Sequence, residues 1–455
     1  MDTDIKSRKI DMTEGPIMRN ILLFAIPMVI GNILQQLYTT VDTLVLGNFC
    51  GHTSLAAMGT SAQPVEVLLS IFLGIGGGAS VITSQHIGAG DRRRIKDTCK
   101  TAVTIVYTVG IPLGVLGCIL APFILKFMGT PSDVWDEALI YTRIVFLGTL
   151  GNIGYNMNAG ILRGMGDSKA SLWFLVISCI TNIILDLLFV AVFSMGIAGA
   201  AIATIISMYL SWTVSIYYIR KKDPELEYSG LPRGIEKTEL KGILSLGIPL
   251  GINNSLFSFG HMALQIMINS QGSVFMAAAS VSSRVYNMAN MAITGISSAA
   301  STFSGQNYGA GRMDRLKEGH IKIPIMSGLI TLAFGILVVG FRMPILRLFQ
   351  RDEEVLFYAS RFVVVMLMSY WMYAIYNAIS NIINGTGKVK YTLITNLLML
   401  WAVRIPAAYV ITQFFDGTYL MLSYPASFLF GMIAMILYYI FAKEWKTLRA
   451  AGDRK

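Results

Sequence analysis

The sequence predicts an all-α polytopic membrane protein of twelve transmembrane helices, arranged as two six-helix lobes related by a pseudo-two-fold axis along the membrane normal. Three observations predict it. Of 455 residues, 54% are hydrophobic and 14% charged, with a mean hydropathy of +0.60, whereas a soluble domain carries roughly 25% charged residues. The charges gather in short runs between apolar stretches long enough to cross a hydrocarbon core, which needs about 20 helical residues. Matched motifs also recur at an offset of 221 or 222 residues.

The segment Met1 to Arg19 is polar and the first apolar run continues into a full span, so no cleavable leader is expected. Apolar runs between charged or Gly/Pro breaks place helices at 20–46, 54–84, 98–124, 136–160, 169–193 and 197–220. A second set follows at 242–269, 275–304, 320–342, 354–382, 389–412 and 420–442. The charged stretch between the sets contains Pro224, Gly230 and Pro232 and reads as a linker. The domain reading is therefore 1–220 for the N-lobe, 221–241 for the linker and 242–455 for the C-lobe.

Twelve spans put both termini on one side. That side carries 28 Lys and Arg against 6 on the other, with Arg284 and Arg404 inside spans. By the positive-inside rule the termini are cytoplasmic, in a bacterial-type cytoplasmic (inner) membrane. The net charge of +10 is explained by these short basic loops, so no nucleic-acid partner is expected. Cys50, Cys99, Cys118 and Cys179 show no CxxC spacing, and neither a disulfide framework, a metal site nor a cofactor is implied. The reading is of a monomer in the bilayer.

The repeat is explicit in the residues. Ile26-Pro27 pairs with Ile248-Pro249, Gln85 and Gly88-Ala89-Gly90 with Gln306 and Gly309-Ala310-Gly311, and Gly164, Gly166 and Lys169 with Gly385, Gly387 and Lys390. Because six spans separate equivalent positions, both halves share one orientation, and a cleft between them can open to each side in turn. That is transport machinery. Gly74 to Gly78 lies inside an apolar span with no Lys-Ser/Thr after it, so close helix packing accounts for it better than phosphate binding.

Ionisable residues inside hydrocarbon are costly and form the functional shortlist: Asp42, Glu66, Asp186, His261, Arg284 and Arg404. At 1.5 Å per residue, Asp42 lies about 33 Å along its helix and Asp186 about 26 Å along its own, both towards the outer half of one lobe. Tyr38 and Asn182 each precede a carboxylate by one helical turn, and Tyr141 and Thr204 enter from outside at similar depth. Desolvation and mutual repulsion in such a pocket favour capture of a proton near neutral pH. The same oxygens suit sodium equally, transiently held at Asp42 and Asp186. A bland reading makes Asp42 a helix-end cap and pairs Asp186 with a neighbouring amide.

Glu66 and Arg284 lie at related depths and can pair across the cleft or each meet local carbonyls. Arg404, before Ile405-Pro406, is expected to serve a carbonyl freed by the proline, with ion gating as the alternative, and His261 to be satisfied within its own bundle. Candidate cleft-lining residues are Glu66, Asn156, Met157, Asn158, Phe259, Arg284, Asn287, Met288, Met291, Tyr376 and Asn377. Met side chains repack around varied ligands and Asn supplies neutral hydrogen bonds.

Val41-Asp42-Thr43-Leu44-Val45-Leu46-Gly47, Leu55-Ala56-Ala57, Gln85 to Gly90, Leu162-Arg163-Gly164-Met165-Gly166-Asp167 and Asn182-Ile183-Ile184-Leu185-Asp186, with Ile26-Pro27, resemble the pattern of multidrug and toxic compound extrusion (MATE) transporters over essentially the whole chain. The resemblance implies two six-helix bundles in a V and export of organic, often cationic, compounds by antiport with H+ or Na+. Within the family the pattern is similar to the DinF-like branch, whose N-lobe acids match Asp42 and Asp186. The C-lobe acids of the NorM-like branch have no counterpart, since Phe257 and Tyr373 stand near their places. Two rival functions are weighed. A lipid-linked sugar flippase of the same superfamily would line its cavity with bases, whereas acids outnumber bases inside this first lobe. A membrane-embedded enzyme would need a HExxH-like or convergent His/Ser/carboxylate arrangement that no span provides.

Overall fold

In the computed structural model, the described residues are 9–415 and 417–442, apart from the side chains at 62–64, 66–68 and 417–418. The regular structure there is helical, with no strand among the described residues. The first half contributes α1 (Ile17–Phe49), α2 (Gly51–Gly88), α3 (Arg92–Phe127), α4 (Trp135–Leu147), α5 (Thr149–Gly164), α6 (Ser168–Asp186) and α7 (Gly196–Lys222). The second half contributes α8 (Lys237–Asn269), α9 (Ser273–Gly309), α10 (Met313–Gly340), α11 (Arg342–Arg347), α12 (Glu353–Gly385), α13 (Val389–Leu397), α14 (Ile405–Phe414) and α15 (Ser423–Phe441). Among the described residues, nine helical segments are long and apolar enough to cross a membrane. The outward face of α10 shows why lipid is the solvent: Ile321, Ile325 and Leu329, at four-residue spacing, are each more than half exposed.

The expected spans appear with three refinements. The span expected at 136–160 is broken at Gly148 into α4 and α5. The span expected at 169–193 ends its α-helical hydrogen bonding at Asp186 and continues as a π-helix over Leu187–Val192. The span at 389–412 is likewise α13, a π-helix over Leu398–Arg404, then α14 opening on Pro406. A π segment widens the turn and inserts an extra residue, which apolar periodicity alone does not reveal.

The described residues group into two compact units, 9–10 with Ile30–Ile252, and Asp11–Val29 with 253–442. The division falls inside α1 and α8, two residues after Pro27 and three after Pro249. The first half of α8 packs within the first unit on α2. A Cβ on Gly74 would lie 2.1 Å from the Gly251 backbone nitrogen, and one on Gly78 would lie 2.5 Å from the Ile243 carbonyl oxygen. These glycines allow backbone-to-backbone contact, as the sequence reading of Gly74 to Gly78 expected. In the second unit the repeat-related Gly295 of α9 faces α1 less tightly, a Cβ there lying 2.7 Å from the Val29 side chain and 3.2 Å from the Ala25 carbonyl. Gly164 faces the Ser80 carbonyl and its repeat partner Gly385 the Ser301 carbonyl, at 2.5 and 2.4 Å from a built Cβ.

The segment 221–241 lies bonded along α3. The Tyr107 hydroxyl donates to the Gly230 carbonyl at 3.0 Å, Thr104 to that of Gly234 at 2.8 Å, and the Glu236 amide to Thr101 Oγ1 at 3.0 Å. Glu239, in the first turn of α8, accepts from Thr98 at 2.9 Å and meets His86 Nε2 at 3.0 Å. Asp167 caps α6 and forms a buried ion pair with Lys222, with the Tyr218 hydroxyl donating to it at 2.7 Å.

Candidate functional site

Four helices of the first unit bring the expected polar residues together. Asp42 and Tyr38 lie one turn apart on α1, Asn182 and Asp186 one turn apart on α6, Tyr141 on α4 and Thr204 on α7. The Asn182 amide joins the two carboxylates, its Nδ2 donating to Asp42 Oδ1 at 2.9 Å and to Asp186 Oδ2 at 3.2 Å. The other end of that amide lies 3.4 Å from Thr204 Oγ1. Thr204 donates to the Ala200 carbonyl at 3.0 Å and accepts from the Tyr38 hydroxyl at 3.3 Å. Tyr141, on α4, interacts electrostatically with both acids.

Asn182 and Asp186 are fully buried and Asp42 half-buried. Asp186 Oδ1 has no hydrogen-bond partner among the described residues. Of the bland readings, Asp186 does pair with a neighbouring amide, that of Asn182, whereas a helix-end cap does not describe an Asp42 side chain bonded to the same amide. Two carboxyl groups spanned by one amide are a place where a proton or a cation relieves like-charge repulsion. Four side chains supply oxygen around it, the two carboxylates, the Tyr38 phenol and the Thr204 hydroxyl, while the Asn182 amide presents its N–H to the acids. That is a donor set for H+ or for a hard monovalent ion.

A cavity of about 430 Å³ lies in the second unit, and one of about 390 Å³ in the first. The latter is lined by Ser54, Glu137, Ile140 and Val190 among others, of which Ile140 adjoins Tyr141 and Val190 lies one turn from Asp186. Sequence reasoning passed over Glu137, because an acid in the first turn of a helix reads simply as complementing the helix dipole.

The proposed cleft residues divide. Met157, Asn158 and Tyr376 are buried inside their units, at 1%, 1% and 4% exposure, not on an open face. Met157 packs in the apolar core of the first unit. Asn158 donates to Ser215 Oγ at 2.7 Å and accepts from the Tyr228 hydroxyl, whose phenol burial pushes well above its ordinary range so that it stays a donor. Tyr376 stacks in a run with Tyr373, Tyr370 and Phe428. Phe259, Arg284, Asn287 and Met288 are exposed, and Asn156, Met291 and Asn377 half-buried. Asn156 donates to Asn152, and the repeat-related Asn377 accepts from Asn381. The Arg284 guanidinium lies 6.0 Å from the Phe349 ring centre; the Glu66 side chain lies outside the described residues. Arg404, expected to serve a freed carbonyl, instead donates from Nε to Ser427 Oγ at 2.9 Å.

Comparison with known proteins places this geometry in a family. The MatE family model matches residues 27–188 and 249–410, the two copies of the repeat. The chain is 31% identical over 438 residues to the probable multidrug resistance protein YoeA of Bacillus subtilis (strain 168), covering 94% of each chain. It is 29% identical to the probable multidrug resistance protein YpnP of the same organism, over 98% of this chain and 99% of the relative. Its fold matches a solved outward-facing multidrug resistance MATE family transporter of the MOP superfamily with a TM-score of 0.87, at 21% identity, over 98% of this chain and 99% of that one.

Proposed function

The chain belongs to the multidrug and toxic compound extrusion (MATE) family of multi-pass membrane transporters, and from that premise we propose that it is a secondary active exporter. It expels organic, often cationic, compounds by antiport with H+ or Na+. The observation that carries this reading is the Asn182 bridge between two carboxylates, one fully buried. The reading places it in a bacterial cytoplasmic membrane with both termini inside, as the basic loops favour. It works alone, without cofactor, and carries its cargo chemically unchanged.

Cation binding at the pair neutralises a buried charge and relieves repulsion between the acids. The Asn182 amide, which donates to carboxylates when they are bare, turns to a different hydrogen-bond set when a cation sits between them. Asp186 is the last residue before a π-helix, a segment whose hydrogen bonds are not committed to one register. A change at Asp186 is therefore transmitted to the outer end of α6, while α1 adjusts around Pro27. The ion shifts a pre-existing equilibrium between outward- and inward-facing states, and cargo leaves in the outward one. Glu137 lines the approach to the pair and raises the local cation concentration.

The test is gradient-driven transport of ethidium in proteoliposomes. Imposed pH or sodium gradients should drive accumulation by the wild type, and Asp186→Asn should remove that response while the protein still folds. Equal transport by wild type and variant, or no response to either gradient, sinks coupling at this pair and moves lipid-linked sugar flipping to first place.

A further inference from the structure

The second unit holds a buried charge that the coupling site does not use. Arg404, where the second π-helix meets α14, is 1% exposed and heads the fully buried side chains by volume. Its guanidinium lies 4.7 Å from the Tyr424 ring centre and 5.0 Å from that of Phe428. Nε donates to Ser427 Oγ, and Nη2 has no partner among the described residues. No carboxylate in the neighbouring spans balances it: residues 253–313, 319–351, 355–415 and 417–442 contain neither Asp nor Glu. The acids of the second half, from Asp314 to Glu354, stand at helix ends, and Asp416 lies outside the described residues.

A desolvated guanidinium without a counterion is unfavourable, and cation–π contact with two rings offsets only part of that cost. Tyr424, whose ring carries the guanidinium, also lines the cavity of about 430 Å³. The remaining wall includes His261, Gln265, Ser280, Ser283 and Tyr286. His261 and Tyr286 interact electrostatically with Arg404. The wall is rich in hydroxyl and N–H donors and has no carboxylate. By the repeat offset of 221, Arg404 corresponds to Ile183, beside Asn182. The buried charge of the second half thus stands three residues from the repeat equivalent of Asp186, which is Ala407, and has the opposite sign.

We propose that Arg404 and the donor-lined cavity beside it form a binding site for a small monovalent anion. The shared chemistry is a compact negative charge that accepts hydrogen bonds. It comes either from an inorganic halide or from the carboxylate of an organic cargo, for which the cavity leaves room. Such a site gives the exporter a handle for zwitterionic or acidic compounds that a carboxylate pair alone would repel.

The test is thermal unfolding of the purified protein in nanodiscs, with chloride, bromide or benzoate titrated against gluconate at constant ionic strength and constant cation. The wild type should be stabilised saturably; saturation by halides assigns an inorganic ion and saturation by benzoate alone a carboxylate. Arg404→Gln should weaken the apparent affinity by about tenfold or more, and Arg404→Lys by less, because a charge-assisted hydrogen bond is lost in one and the charge kept in the other. If Arg404→Gln does not fold, Tyr286→Phe and Ser283→Ala carry the test, each weakening anion stabilisation several-fold. A wild type indifferent to the anion, or variants with an unchanged anion response, overturns the proposal.

Discussion

Replacing Asp186 by Asn tests the proposed coupling site with the smallest change of shape. The substitution keeps the buried volume and leaves an amide that still bonds Asp42, but removes one negative charge from a side chain with no exposed surface. A monovalent cation about 4 Å from a carboxylate gains about 4 kcal/mol at an effective dielectric of about 20, and about 2 kcal/mol where water doubles that value. The first figure suits fully buried Asp186 and corresponds to a roughly thousandfold loss of apparent cation affinity. The second suits half-buried Asp42 and gives roughly thirtyfold. The assay is the half-saturating proton or sodium concentration for ethidium export from proteoliposomes, with thermal unfolding of each variant as the folding control. An Asp186→Asn affinity within threefold of wild type, or a larger loss for Asp42→Asn than for Asp186→Asn, would refute the placement of the ion between these two groups.

Thr204→Val removes the hydroxyl that accepts from Tyr38 and faces Asn182; loss of about 1 kcal/mol of hydrogen bonding should weaken the coupling ion about fivefold in the same assay, leaving unfolding temperature little changed. Gly251→Val should destabilise by about 1–3 kcal/mol or more in thermal unfolding, because its side chain meets α2 backbone, whereas Gly47→Ala, with nothing within 4 Å of the added Cβ, should be neutral or slightly stabilising. Lys222→Met should cost about 3–5 kcal/mol by stranding buried Asp167, and the double variant with Asp167→Leu should recover much of that; equal destabilisation in single and double variants would show that the pair is not coupled.

The fold was legible because the bilayer imposes length and polarity on every span, and the repeat exposed the two halves. Asp42, Tyr38, Asn182, Asp186, Tyr141 and Thr204 could be gathered from helical spacing and depth alone, since an intramembrane acid is rare enough to mark itself. What spacing could not show is which face of a span turns inward. Met157, Asn158 and Tyr376 look identical in sequence to residues on an open wall, yet their neighbours in the fold bury them. The π-helices after Asp186 and before Ile405 also escaped, since one inserted residue leaves composition unchanged. Arg404 was visible as a charge in hydrocarbon, but its aromatic surroundings come from α15, which sequence proximity does not connect to it.

The contrast between packing and charge explains what the repeat preserves. Gly164 at the Ser80 carbonyl and Gly385 at the Ser301 carbonyl solve the same steric problem twice. Backbone contact tolerates no side chain in either copy, so those positions match at the offset of 221 or 222. Charge obeys no such constraint. A bundle needs only one ion site to couple its motion to a gradient, and a second buried carboxylate pair would add desolvation cost without adding a second driving force. The second unit is therefore free to place Phe257 and Tyr373 where the family resemblance would put acids, and to bury a guanidinium of its own at Arg404. A carboxylate engineered into the second unit at Tyr373 should accordingly meet Arg404, whose charge already interacts with that residue, and be neutralised by it without becoming a second coupling site. Cation stoichiometry measured by reversal potential in proteoliposomes checks this: an unchanged ion-to-cargo ratio in Tyr373→Asp is expected, and a raised ratio would show that the second unit retains latent coupling machinery.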